Sequence, residues 1–165
     1  MKTTTFLPLS APIKMVTIIA SIIILGGIIL LIYEWMQIKQ PHLLVVAIIL
    51  AIVTLVSICM IPRKVVVTQE GVDIYLLAYK LHVPNNEIVK VEHYPNGIQS
   101  YRIAGAGGFF GNIGLFTSPI CGKHFSLITD PKEACIITRK TKMPIAVSIV
   151  DYSVFNAIVE VQEKN

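Results

Sequence analysis

The 165-residue sequence predicts a membrane α-hairpin followed by an all-β domain that is capped by a C-terminal α-helix. Two uncharged apolar runs near the N-terminus, a remainder of short apolar runs broken by turn residues, and a last segment with apolar positions at helical spacing carry that prediction. Hydrophobic residues make up 54% of the chain and charged residues 15%, more apolar material than a soluble core of this size uses. Part of the chain is therefore expected to face lipid.

The excess lies in residues 15–32, MVTIIASIIILGGIILLI, and 43–61, LLVVAIILAIVTLVSICMI. Each run approaches the roughly 20 residues that cross about 30 Å of hydrocarbon, and a helix satisfies all its backbone polar groups internally. The expected spans are about 13–33 and 43–61 within a membrane segment of residues 13–62, after an N-terminal tail of residues 1–12. A cleaved signal peptide fits poorly, because the first run is long and YEWMQIKQPH offers no small-x-small cleavage site. Gly26 and Gly27 form a small notch without GxxxG spacing, and Tyr33 and Trp35 stand where an interfacial aromatic belt is expected.

Lys2, Lys14, Arg63 and Lys64 flank the side shared by the two termini, against Lys39 alone in the connecting loop. Positive-inside bias then puts both termini in the cytoplasm of a multi-pass protein. Cys59, Cys121 and Cys135 are odd in number and without repeated spacing, so they read as reduced thiols, not as a disulfide framework. A net charge of +4, partly used in that topology, gives no argument for nucleic acid.

Residues 63–165 read as one β-domain. Candidate strands are KVVVTQ (64–69), GVDIYLLA (71–78), EIVKVEHY (87–94), residues 101–104, residues 115–118, KHFSLITD (123–130), EACIITR (133–139) and PIAVSI (144–149). Pro95-Asn96-Gly97 and Asp130-Pro131-Lys132-Glu133 have turn chemistry, and Arg139-Lys140-Thr141-Lys142 makes a basic hairpin tip. In DYSVFNAIVEVQEKN, Asp151 is placed to cap a helix whose apolar stripe is Val154, Phe155, Ile158, Val159 and Val161.

Arg102, the glycine-rich run through Gly105, Gly107, Gly108, Gly111, Gly114 and Phe116, the Thr129-Asp130 strand end, and Ser148 followed by Asp151 and Phe155 resemble the bacterial PH-domain family. The resemblance covers roughly the last hundred residues. It departs where Ser-Pro-x-Asp is typical, since this chain has Ser148-Ile149-Val150-Asp151. It implies a pleckstrin-homology-like barrel of about seven antiparallel strands and a bacterial inner-membrane location. It implies no particular activity.

The glycine run fails as a nucleotide cradle. G-x-G-x-x-G started at Gly105 would need glycine where Phe110 stands, and no helix follows. A structural reading has the five glycines bending two strands of a small barrel, and a functional one has Phe109 and Phe110 as an apolar anchor for membrane or partner. Arg139, Lys140 and Lys142 read either as a solvated tip or as a contact for anionic headgroups. The turn Thr68-Gln69-Glu70-Gly71, where lipid-binding members of the wider fold carry basic residues, holds a glutamate.

His82, His93 and His124 fall in strands at unrelated spacing and are expected at edges or on the barrel surface. Cys121 and His124 lie close enough in sequence for a thiol–imidazole pair, the only opening to a hydrolase or transferase. No metal set, cofactor motif or catalytic carboxylate pair is assigned. The expected function is a non-enzymatic interaction or scaffolding module, with the lipid bilayer and a protein partner or a second copy as partners. Lipid sensing through Phe109, Phe110 and the basic tip is the alternative.

Overall fold

The computed structural model describes residues 3–7, 9–151, 153, 156 and 158. Helix α1 (Ala11–Ile38) and helix α2 (Pro41–Cys59) pack on each other as a hairpin. Proline in the first turn starts each helix where its missing N–H leaves no bond unmade. Lys39, with φ of 58°, ends α1 by donating its N–H to the Trp35 carbonyl at 2.8 Å, and Gln40 alone separates it from α2. At about 1.5 Å per residue the helices are about 42 and 28 Å long. Both are long and apolar enough to cross a membrane, and only 6% of the most apolar window of each is buried. A core helix of a soluble domain would be enclosed, so the protein itself does not account for this apolar surface.

Among the described residues ten strands form two sheets. Sheet A contains β1 (Thr3–Phe6), β2 (Pro62–Val67), β3 (Gly71–Leu76) and β4 (Lys80–Pro84), in that order and all antiparallel. Sheet B contains β5 (Ile88–Tyr94), β6 (Tyr101–Gly107), β7 (Asn112–Ser118), β8 (Gly122–Ile128), β9 (Ala134–Arg139) and β10 (Ile145–Ser148) in the order β5-β9-β10-β8-β7-β6. Among the described residues only β8 and β10 pair in parallel.

All eight strand segments expected from sequence are present, but the expected antiparallel barrel is corrected. The described residues form two sheets with no closing strand pair between them, and one pair is parallel. The parallel pair arises because β9 and β10 form an antiparallel hairpin whose second strand slots in beside β8. Strand β1 was not anticipated, and β4 was implied only by placing His82 in a strand, without bounds. Thr3–Phe6, expected as tail, pairs with β2 from Thr3↔Val67 to Phe6↔Lys64, so the helical hairpin is spliced between two neighbouring strands. Both of its ends therefore lie at the same sheet.

One core joins the two sheets, with Val65, Val72, Ile74 and Val83 from sheet A meeting Leu127, Cys135, Ile137 and Val147 from sheet B. A second cluster, Ile128, Ala134, Ile136 and Ala146, lies on the opposite face of sheet B under Tyr94 and Ile98. Of the expected C-terminal helix, Ser153, Asn156 and Ile158 are helical, and Ile158 is buried in the main core. Asp151 accepts a hydrogen bond from the Ser153 N–H at 2.9 Å. Val154, Phe155, Val159 and Val161 lie outside the described residues, as does Lys2.

Candidate functional site

The glycine run forms the β6–β7 hairpin and extends into both strands. Gly105 pairs with Gly114, at φ of 123° and 129°. A Cβ on Gly105 would overlap the Ile113 carbonyl, and one on Gly114 would overlap the Ala104 carbonyl and stand 2.8 Å from the Gly105 Cα. Only glycine allows this backbone approach. The hairpin coils enough that Arg102 lies along β6 with Nη1 3.5 Å from where a Cβ on Gly107 would stand. Among the described residues Arg102 has no ion-pair partner.

The hairpin tip rests on the helices. Phe110, with φ of 58°, donates its N–H to the Thr17 hydroxyl on α1 at 2.9 Å. Its ring packs against the main core, and Phe109 lines a small cavity with Ser21, Ile24, Leu25 and Ile28 of α1 and Thr54 and Ile58 of α2. Both phenylalanines are half-buried, Phe109 against the helical hairpin and Phe110 against the core and a cavity lined by Leu7, Ile61 and Pro62. Behind the tip, α2 and the two glycine strands enclose a groove of ≈ 490 Å³. Residues 103–122 contain no charged side chain, so the whole β6–β7 hairpin beyond Arg102 is electrically neutral.

Sequence reasoning joined the Phe109–Phe110 loop and the basic tip into one surface. The strand register separates them. Asn112 pairs with Ile128 at the helix end of sheet B, where Ser10 donates its N–H to the Thr129 carbonyl at 3.2 Å. Ile145 pairs with Phe125 and Ile137, so residues 139–142 leave from the opposite end. At about 3.3 Å per residue the length of β8 puts roughly 20 Å between them. Arg139 donates to the Met143 carbonyl, and burial holds its guanidinium below its ordinary pKa. Lys142 pairs with Glu87 at 2.7 Å. Lys140 donates its backbone N–H to the Glu87 carbonyl at 2.8 Å.

Cys121 and His124 do meet, with Sγ 3.4 Å from Nδ1. The same Nδ1 lies 3.0 Å from the Gly122 carbonyl, which accepts only if Nδ1 carries the proton. That tautomer leaves no basic nitrogen facing the thiol. The other nitrogen, Nε2, is buried with no hydrogen-bond partner among the described residues. Ser118 accepts the Cys121 N–H at 3.2 Å, and Gly122 has φ of 65°. These contacts close the β7–β8 turn. His124 is fully buried and stacks on Phe116 with centroids 6.4 Å apart, which corrects the expected surface position.

His82 is on the edge strand β4, as expected, and opposes Asp73. Its Nδ1 lies 2.6 Å from Asp73 Oδ1, and Lys80 Nζ lies 3.3 Å from Oδ2. Burial alone would raise the Asp73 carboxyl, but the hydrogen bonds and charges of His82 and Lys80 outweigh it and hold the pKa below the usual value. His93 lies 3.6 Å from Glu133. Cys135 is fully buried, which pushes its thiol up to about 12, and Cys59 and Cys121 are half-buried free thiols. No group of three metal-ligating side chains exists among the described residues.

The resemblance features Thr129, Asp130 and Ser148 converge. Ser148 Oγ accepts from the N–H groups of Thr129 and Asp130 at 3.0 and 2.9 Å and donates to the Asp130 carbonyl. Asp130 Oδ1 accepts the Lys132 N–H at 3.1 Å, the turn chemistry expected of it. Thr17 was missed, although a hydroxyl within an apolar run was its signal. Thr54 and Ser57 return theirs to their own helix, to Leu50 and Val53 carbonyls at 2.8 Å, whereas Thr17 accepts from the β-domain. Comparison with protein-family models, curated proteins and solved structures found no match.

Proposed function

We propose that the chain is a two-span membrane protein whose β-domain is a non-enzymatic interaction module, docking a strand of another membrane-held chain along the free edge of β6. The carrying observation is how differently the four sheet edges are guarded. β1 is four residues long, β4 carries Lys80, His82 and Pro84, and β5 carries Lys90, Glu92 and a register shift. These are the usual devices against unwanted pairing. β6 has Arg102 and a register shift at its start, then only Ile103, Ala104, Gly105, Ala106 and Gly107.

The β6–β7 tip touches α1 at Val16 and Thr17 and the groove reaches Ile52 of α2, so this edge lies beside the proposed spans. Near a bilayer, water competes less for unpaired backbone groups, and strand addition gains from that. What supports two spans is the pair of exposed apolar helices with both ends at sheet A. Lys14, Arg63 and Lys64 at those ends, against Lys39 at the far turn, favour a cytoplasmic domain. A PH-like ancestry draws support from the two packed sheets, Ile158 in the core and the Ser148 cluster.

Crosslinking of the full chain in its native membrane, followed by gentle detergent extraction, tests the reading. A discrete adduct is expected, and Ala104→Lys should remove it while the thermal midpoint stays unchanged. Monomer alone in the unsubstituted chain, or an adduct indifferent to the lysine, would remove the proposal. A reporter fused after Asn165 that is active outside the cell would remove the cytoplasmic assignment.

A further inference from the structure

We infer that the groove between α2 and the glycine hairpin holds one acyl chain of a bilayer phospholipid, an inference that rests on the two-span reading above. The ≈ 490 Å³ of space lies within the range of small-molecule sites. One wall is the flank of α2 formed by Ile52, Val53, Val56 and Met60, and the other is Ala106 and Ile113 with the bare backbone of the paired glycines. The one hydroxyl there, on Ser57, donates to the Val53 carbonyl at 2.8 Å. No side-chain donor is left for a sugar, a nucleotide or a polar peptide, each of which would lose its hydrogen bonds to water on entering. A hydrocarbon chain loses none.

The choice of a phospholipid over another apolar occupant comes from continuity. Val53 and Val56 are also part of the exposed apolar face of α2, so the groove is an extension of the surface the bilayer would cover. The groove lies on the helix-facing side of the hairpin, distinct from the outer edge of β6.

The test uses the full chain in nanodiscs of phosphatidylcholine and phosphatidylglycerol, doped with a phospholipid bearing a photoreactive diazirine on one acyl chain. After illumination, adducts are mapped by peptide mass spectrometry. Label is expected on the peptides of Val53 and Ala106 above that on Ile22 and Ile29, which serve as ordinary lipid-facing references on α1. Ala106→Trp and, independently, Val56→Trp should each abolish the groove label and keep the reference label, with near-ultraviolet circular dichroism confirming the fold.

Groove label no stronger than the reference, or label that survives both tryptophans, overturns the inference and leaves the spans standing. Label present at one chain per disc and lost at two assigns the groove to a second copy and overturns it also. Absence of label from groove and reference alike overturns the two-span reading itself, and the inference with it.

Discussion

Two hairpin tips leave sheet B at opposite ends, and they are built on opposite principles. The β6–β7 tip has no charge, is half-buried, and is fixed by backbone geometry that glycine alone allows and by a hydrogen bond to Thr17. The β9–β10 tip carries Arg139, Lys140 and Lys142 and keeps its place through contacts to Met143 and Glu87. A tip that rests on apolar helices has little use for charge, since each ion would be desolvated. One that projects into water keeps its charge at little cost and stays soluble by it. The difference gives the domain a polarity, with one end shaped for an apolar surface and the other for solvent.

The strongest way to break that contrast is to give the first tip a side chain it has no room for. Gly114→Ala places a Cβ over the Ala104 carbonyl at a φ of 129°. We expect a loss of about 3 kcal/mol or more in detergent-solubilised full chain, read as the denaturation midpoint. Lys140→Ala at the other tip should stay within about 0.5 kcal/mol. Similar losses at both would mean that the glycine pair is not under the backbone constraint described.

A charge fixed within a sheet gives an intermediate case. Asp73 is held below its ordinary pKa by His82 and Lys80, so its contribution is present above the usual carboxylate range and declines as pH falls through the lowered value. Asp73→Asn should cost about 1–2 kcal/mol at neutral pH, and the gap to the unsubstituted chain should narrow below about pH 4. A gap that stays constant down through that range would show that the ion contacts contribute nothing. Thr17→Val removes the acceptor of the Phe110 N–H at an expected cost of about 1 kcal/mol. Hydrogen exchange at that amide should quicken, and unchanged protection would mean the tip is held by packing alone.

What the sequence made legible follows physical range. The two helices were readable because apolar length is a property of one segment, and the strands because period and turn chemistry are local. Glycine as a bend was readable for the same reason. The docking of Phe110 on Thr17 spans 93 positions, and no local pattern announces it. β4 was left without bounds because its lysine, histidine and proline, which suit an edge, lower every strand signal. Without those bounds no register could pair His82 with Asp73. His124 was put on the surface because alternation implies an outer face, but sheet B is buried on both faces at β8, where His124, Ser126 and Leu127 are all fully enclosed. The parallel β8–β10 pair depends on a non-local choice of neighbour, which apolar runs do not encode.

The smallest expected effect gives the most direct check on the solvated tip. Lys142 on the β9–β10 tip and Glu87, in the turn just before β5, lie 2.7 Å apart, with the lysine side chain 57% exposed. A pair so open to water gains little, because screening weakens the attraction and two long side chains lose freedom in forming it. A double-mutant cycle with Lys142→Ala and Glu87→Ala should give a coupling of about 0.5 kcal/mol or less, fading further in high salt. A coupling above about 1 kcal/mol that survived salt would mean the basic tip is fixed as firmly as the glycine tip. The polarity of the domain would then rest on shape alone, and charge at the far end would have to be explained by a bound partner instead of by water.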